Sequence, residues 1–281
     1  MSYYKLLGLA REPFSTSPDP DFLYLSDAHR AVLYRLRIAT RLQRGLHVVL
    51  GDVGTGKTPL SRRLAQLLPQ DGPIDLHVIL NPYFESEQQF LLALMEAFHL
   101  EPPREAASVR ALLSTIERYL FQKGVDQDRI VVLLIDEAQQ LSAPSLEILR
   151  ALLNYETTEK KLLQLILMAQ LEFLPTIRTQ RALWDRVSLK YVLNPLDERE
   201  MIAMIQFRLR QAGYAGRDPL FADEAFQEIY LATQGYPRRI ALLCHDALER
   251  LVMEGRAIVS ADLIRDLAGH ERALTVSPAL A

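Results

Sequence analysis

The stretch Gly51-Asp52-Val53-Gly54-Thr55-Gly56-Lys57-Thr58 has the residue types and spacing of a loop that wraps a phosphate chain. Its glycines let the backbone close round an anion, so that successive N–H groups and the N-terminus of a following helix point at it. Lys57 supplies positive charge for β- and γ-phosphates, and the Thr58 hydroxyl is a hard oxygen ligand for Mg²⁺. Further along, the apolar run Ile130–Ile135 ends in Asp136-Glu137. Such a run is expected of a strand buried on both faces, and in open α/β sheets ligands bind outside the carboxyl ends of the strands. The pair is therefore expected beside the phosphate loop, with Asp136 as a Mg²⁺ partner and Glu137 orienting or deprotonating an attacking water. The alternative is an acidic pair that only caps the next helix. The candidate cofactor contacts are Gly51, Asp52, Val53, Gly54, Thr55, Gly56, Lys57, Thr58, Pro59 and Asp136, with Thr58 and Asp136 on the metal.

Alternating strands and helices must position these groups. The run 46–50 reads as the strand before the loop, and a helix over about 57–68 follows. Pro59 fits there because the first helical turn has no partner for the missing N–H. Upstream, a helix starts near Ser26-Asp27, runs amphipathically over 31–42 and stops at Gly45. Strands are expected at 74–80, 130–135, 162–169 and 189–193, and helices at 87–99, 107–123 and 144–154, with a Glu101-Pro102-Pro103 breaker. This order implies parallel βαβ units. From Asp197 the strand pattern gives way to helices at 197–212, 222–233, 237–253 and 260–268, punctuated by Gly213, Gly216, Gly235 and Gly255. The expected division is an α/β nucleotide-binding domain with an N-terminal strap over 1–195, a helical domain over 196–269 and a loose tail over 270–281.

The chain has 281 residues, with 32 Lys and Arg against 35 Asp and Glu, a net charge of -3. A global field of that size does not hold nucleic acid, so contact with duplex DNA requires a local patch. Arg35, Arg37, Arg41 and Arg44 offer such a strip, and a solvated face or a subunit contact are the alternatives. The lone Cys244 sits in an apolar run and reads as a buried thiol in a reducing compartment. Neither a cleaved signal peptide nor a spanning apolar segment is evident. The expected location is cytoplasmic, with any membrane association made through a partner rather than by insertion. No zinc-ligand spacing or Gly-x-Ser-x-Gly elbow is present.

A parallel sheet carrying a phosphate loop, followed by a helical lid, resembles the layout of an AAA+ ATPase. The opening segments Tyr4-Lys5-Leu6-Leu7-Gly8-Leu9, Glu12-Pro13-Phe14 and Ser17–Ser26 are similar to those of ExeA/GspA-like ATPases, as are Gly51–Thr58, Leu133–Gln139 and Gly235-Tyr236-Pro237-Arg238-Arg239-Ile240. The resemblance covers roughly residues 4–265. It implies a P-loop AAA+ sandwich that uses ATP and Mg²⁺ and assembles with itself into a ring or filament. It also implies sensor 1 at Gln170, where the strand ends Met168-Ala169-Gln170 rather than the family's usual Gly-Gln, and sensor 2 at Arg238. Trp184-Asp185-Arg186-Val187 resembles the family segment before the fifth strand, which makes Arg186 the leading arginine finger and Arg181 its runner-up. Solvated helix charge is the alternative for both. Phe22, Leu23, Tyr24, His29 and Arg30 are candidates to wall an adenine pocket.

Family members serve secretion, pilus and transposition systems. The protein partner implied is thus a secretion or pilus component or, alternatively, a transposase recruited on DNA. The transmembrane and peptidoglycan-binding extensions that secretion members can carry are not expected after residue 281, which weakens the secretion reading. A third possibility is a module that binds nucleotide without hydrolysing it. Glu137 and the candidate finger argue against it, since a scaffold needs neither.

Overall fold

The structure, a computed structural model, describes residues 2–15, 19–102, 108–216 and 218–276. Ser17 and Pro18 of the opening segment, Pro103 of the breaker and the tail beyond 276 lie outside the described residues. By contacts the chain divides into two units. One holds 27–53 and 57–193, and the other holds the residues before 27, Gly54–Gly56 and everything from Asn194.

The first unit is built on five parallel strands, β1 (Leu46–Gly51), β2 (Ile74–Ile79), β3 (Ile130–Ile135), β4 (Leu163–Ala169) and β5 (Val187–Leu193), in the order β2-β3-β4-β1-β5. Every pairing is parallel, so each connection must cross over the sheet, and the helices Lys57–Leu67, Glu87–Ala97, Val109–Phe121 and Ala143–Leu152 lie in those crossovers. β1 and β4 are buried along their whole length, which is why they read as uninterrupted apolar runs. One polar side chain is tolerated in β4 because it is satisfied. Gln164 Oε1 accepts the Gly45 N–H at 2.8 Å and its Nε2 donates to the Lys161 carbonyl at 2.8 Å. That pair of bonds pins the entry to β1, and with it the strand that ends in the phosphate loop.

β5 begins two residues earlier than expected. Its register against β1 shifts between Leu46 and His47, leaving Ser188 as an extra residue. The Ser188 hydroxyl donates to the Leu46 carbonyl at 2.9 Å and lies 3.1 Å from Nδ1 of the buried His47. A polar residue at a bulge breaks the apolar pattern, which is why the strand looked shorter in the sequence.

The second unit packs the helices Glu198–Gln211, Asp223–Thr233, Pro237–Met253 and Ala261–Val276 round a core that includes Met201, Ile205, Ile229, Ile240, Leu248 and Ile264. The last helix runs through residues that the sequence assigned to a loose tail. The first of the four opens on a capping box between Asp197 and Glu200. Gly235 turns the chain into the helix from Pro237. Its φ is +74°, and a Cβ there would lie 2.0 Å from the Leu196 carbonyl oxygen, so no other residue fits.

The N-terminal strap belongs with this unit, not with the sheet domain to which the sequence assigned it. The reason is apolar packing: Phe14 is buried edge-on to Phe221, with centroids 6.2 Å apart, and the Tyr3 hydroxyl lies 3.0 Å from His245 Nδ1. Phe22 is buried with Leu9 and Ala212 under the Arg11 guanidinium, and Tyr24 packs on Phe207. Core contacts thus account for two of the aromatic residues expected to wall an adenine pocket. Cys244 is a buried thiol, and burial pushes its pKa up.

Candidate nucleotide site

β1 delivers the chain to the phosphate loop, where Gly54 and Gly56 take φ of +83° and +100°. These are conformations that only glycine adopts without strain. The helix that follows begins at Lys57, so Pro59 falls in its first turn. Lys57 is only 5% exposed, and its ammonium donates to the Gly51 and Asp52 carbonyls, each at 2.9 Å. Burial pulls its pKa down, opposed by the negative charges of Glu137, Asp136 and Asp52. A buried cation held by neutral carbonyls has much to gain from an anion, because a charged acceptor makes the stronger hydrogen bond. Thr55 is fully buried, whereas Val53 is exposed.

The carboxylates end a strand that is not next to β1, because β4 lies between β1 and β3. The helix after the loop spans the gap. The Ser61 hydroxyl, one turn beyond Lys57, lies 2.9 Å from Asp136 Oδ2 and 2.9 Å from the Thr58 carbonyl, and its single proton can serve one of them at a time. The Thr58 side chain is near enough to draw the Asp136 pKa down, and the Glu137 N–H donates to Asp136 Oδ1 at 3.1 Å. Asp136 is 2% exposed, and desolvation raises its carboxyl above the usual range despite these donors. Two clustered hard oxygen ligands, Thr58 and Asp136, suit Mg²⁺, which takes few protein ligands and keeps water and phosphate oxygens as the rest.

Glu137 leaves β3 in the left-handed region, φ +54° and ψ +38°. A non-glycine residue there is strained and points to function when its side chain has work to do. Its carboxylate Oε2 accepts from Gln139 Nε2 and, at 3.3 Å, from Gln170 Nε2 at the end of β4. The Gln170 N–H in turn donates to Gln139 Oε1 at 3.1 Å. The structure therefore brings together Lys57 with Gly51 and Asp52, Thr58 with Asp136, and Glu137 with Gln170. Sequence reasoning missed Ser61 and Gln139. Ser61 was legible in principle as the residue four after Lys57 on the same helical face, and Gln139 as the residue three after Asp136 at a strand-to-turn exit.

Among the described residues none of the candidate arginines hydrogen-bonds the carboxylate cluster. Arg186 is half-buried, and its Nη1 donates at 3.1 Å to the Arg150 carbonyl, at the end of the helix 143–152. Among the described residues it makes no hydrogen bond to Lys57, Asp136 or Glu137. Arg181 is exposed. Arg238 is exposed in the second position of its helix, and its N–H donates to the Gly54 carbonyl at 3.4 Å within the second unit. The four arginines of the expected basic strip are not equivalent, since Arg35, Arg41 and Arg44 are exposed and Arg37 is half-buried. The helix Asp27–Arg41 ends before Arg44, Arg37 forms an ion pair with Asp71 through two nitrogens, and Arg41 donates to the Asp71 carbonyl at 2.7 Å. These two arginines tie the helix to the turn at 68–71, because a nearly buried carboxylate there needs cationic donors.

Residues 40–177 match the AAA domain family. General secretion pathway protein A of Aeromonas hydrophila is 38% identical over 96% of this chain. The chain belongs to the GspA-like AAA family. It spans 48% of that relative's length, so the relative's whole activity does not transfer with the match. Among solved structures, Cdc6p of Pyrobaculum aerophilum superposes with a TM-score of 0.68 at 15% identity, covering 95% of this chain and 74% of its own. Drosophila ORC bound to DNA gives 0.65 at 20% identity, covering 94% and 65%. At such identities these two attest the fold alone. Among the described residues no helix is long and apolar enough to cross a membrane.

Proposed function

We propose that the protein is a Mg²⁺-dependent ATPase that assembles with itself in its ATP-bound form and organises a partner complex of the secretion or pilus type. The observation that carries this is the convergence of Lys57, Thr58, Asp136 and Glu137 at the carboxyl ends of β1 and β3. Lys57 exchanges two carbonyl acceptors for phosphate oxygens. Thr58 and Asp136 would hold Mg²⁺, which neutralises charge developing on the phosphates. Glu137 takes the proton of the attacking water, while Gln170 holds its carboxylate from the end of β4. Arg238 serves as sensor 2. Arg186 is supplied to a neighbouring copy as a finger, for which it must leave the Arg150 carbonyl. The similarity to general secretion pathway protein A supports the secretion-type process. Recruitment of a transposase on DNA is the weaker reading, since Arg37 of the basic strip on which it rested is ion-paired with Asp71 and Arg41 donates to the Asp71 carbonyl.

Three experiments test this. Wild-type protein should release phosphate from ATP only with Mg²⁺, and sedimentation with a slowly hydrolysed ATP analogue should show large species that ADP dissolves. Arg186→Ala chains mixed with Lys57→Ala chains should recover part of the lost turnover, because one interface then joins an intact loop to an intact Arg186. Co-assembly without recovery would remove Arg186 from the site, and a nucleotide-independent size distribution would remove ATP-driven assembly.

A further inference from the structure

We infer that Gln139 is a positioning residue for hydrolysis, whose carboxamide fixes the Glu137 carboxylate against the end of β4. The inference rests on the ATPase reading above. Gln139 spans the two groups: its Nε2 donates to Glu137 Oε2 and its Oε1 accepts the Gln170 N–H at 3.1 Å. The orientation of this amide is determined by its neighbours. Turning it over would set two donors against each other at Gln170 and two acceptors at Glu137.

With Gln170 Nε2 on the same atom, Oε2 carries two donors, and among the described residues Oε1 carries none. Oε1 is thus the oxygen that meets a water proton. A glutamate side chain has rotamer freedom to lose, and a general base must stand within hydrogen-bond reach of the proton it takes. The strained backbone of Glu137 aims the side chain and Gln139 stops it from swinging away. Gln139 touches no reacting atom in this arrangement and acts through Glu137. The adjacent Gln140 is exposed and provides a control in the same turn.

The test measures ATP turnover and ATP affinity for Gln139→Met, Gln139→Glu and Gln140→Met, each alone and combined with Glu137→Gln. Gln139→Met should lower kcat about tenfold or more, within the roughly 10²-fold that an ångström of misplacement can cost, and leave ATP affinity within about twofold. Gln139→Glu keeps the shape and the acceptor for the Gln170 N–H but replaces the donor with a like charge. It should be at least as slow as Gln139→Met, and Gln140→Met should match wild type. In the Glu137→Gln background Gln139→Met should cost nothing more, because there is no base left to hold.

Several results would overturn the inference: wild-type kcat in Gln139→Met, activity retained in Gln139→Glu, a loss of ATP affinity alongside kcat, or the same fold-loss in the Glu137→Gln background. Failure of the wider reading looks different. There Glu137→Gln itself would turn over at the wild-type rate, whereas slow Glu137→Gln beside normal Gln139→Met removes only the role of Gln139.

Discussion

In the phosphate loop the left-handed backbone falls on glycines, at Gly54 and Gly56, whereas at the end of β3 it falls on Glu137. The two regions also differ in reach. The loop is one contiguous stretch whose donors are largely its own backbone, and the carboxylate cluster draws Ser61, Asp136, Glu137, Gln139 and Gln170 from a helix, a strand exit and a neighbouring strand end. Glycine adopts such a conformation at no steric cost, while a side-chain-bearing residue costs about 1–2 kcal/mol. The loop is built for binding by composition. The cluster accepts strain and buried charge to place one carboxylate, and stability is therefore recoverable from it at the expense of chemistry.

Asp136→Asn should sharpen that contrast most. The raised carboxyl means that ionising Asp136 costs the folded state stability. The penalty is absent below the ordinary carboxylate range, near 4, and grows as pH rises through the raised folded-state value. At neutral pH the nucleotide-free variant should therefore melt about 2–4 °C higher, equivalent to roughly 1 kcal/mol in a unit of this size. The difference should close toward pH 4 in a calorimetric series. An asparagine also fits the bonding, since its Nδ2 can donate to Ser61 Oγ while the Ser61 proton goes to Thr58. Mg²⁺-dependent turnover should vanish. A lower melting temperature would show that the charge is compensated where it stands.

Glu137→Gly against Glu137→Ala isolates the backbone strain. Both lack the carboxylate, but only alanine must hold φ +54° with a Cβ. The glycine variant should be the more stable by about 1 kcal/mol in denaturant melts, the reverse of the usual order at unstrained positions. Equal stabilities would mean that the turn relaxes when the side chain is cut.

The smallest effect belongs to Asp71, a carboxylate outside the cluster whose pKa moves the other way. Hydrogen bonds from Arg37 hold it below the usual range. Its contribution is complete above the ordinary carboxylate range and fades as pH falls through the depressed folded-state value. Arg37→Ala should therefore lose a little stability at pH 7, and the gap to wild type should narrow under acid. A gap that stays constant with pH would assign the effect to packing of the arginine stem instead.

What the sequence disclosed follows the same division. The loop, β3 and β4 were legible because each is a local signal, a glycine spacing or an uninterrupted apolar run. The early start of β5 was not, because Ser188 interrupts the pattern at a bulge. The home of the N-terminal strap was hidden for a related reason, since Phe14 packs on Phe221 some two hundred residues away and nothing local marks it. Arg37 and Arg41 looked like a free strip until their partner, Asp71, was seen beside them. Gln139 stood in plain view, but its role requires knowing that β3 and β4 end side by side.

The division between the two regions is tested most directly by measuring ATP affinity and ATP turnover side by side for Lys57→Ala and Glu137→Gln. Lys57→Ala should lose affinity, and turnover with it, because the phosphate charge goes uncompensated. Glu137→Gln should bind ATP as wild type does while turnover falls by about 10²-fold or more, the contribution expected of a general base. Wild-type turnover in Glu137→Gln, or affinity lost equally in both variants, would contradict a site in which the loop binds and the carboxylate cluster hydrolyses.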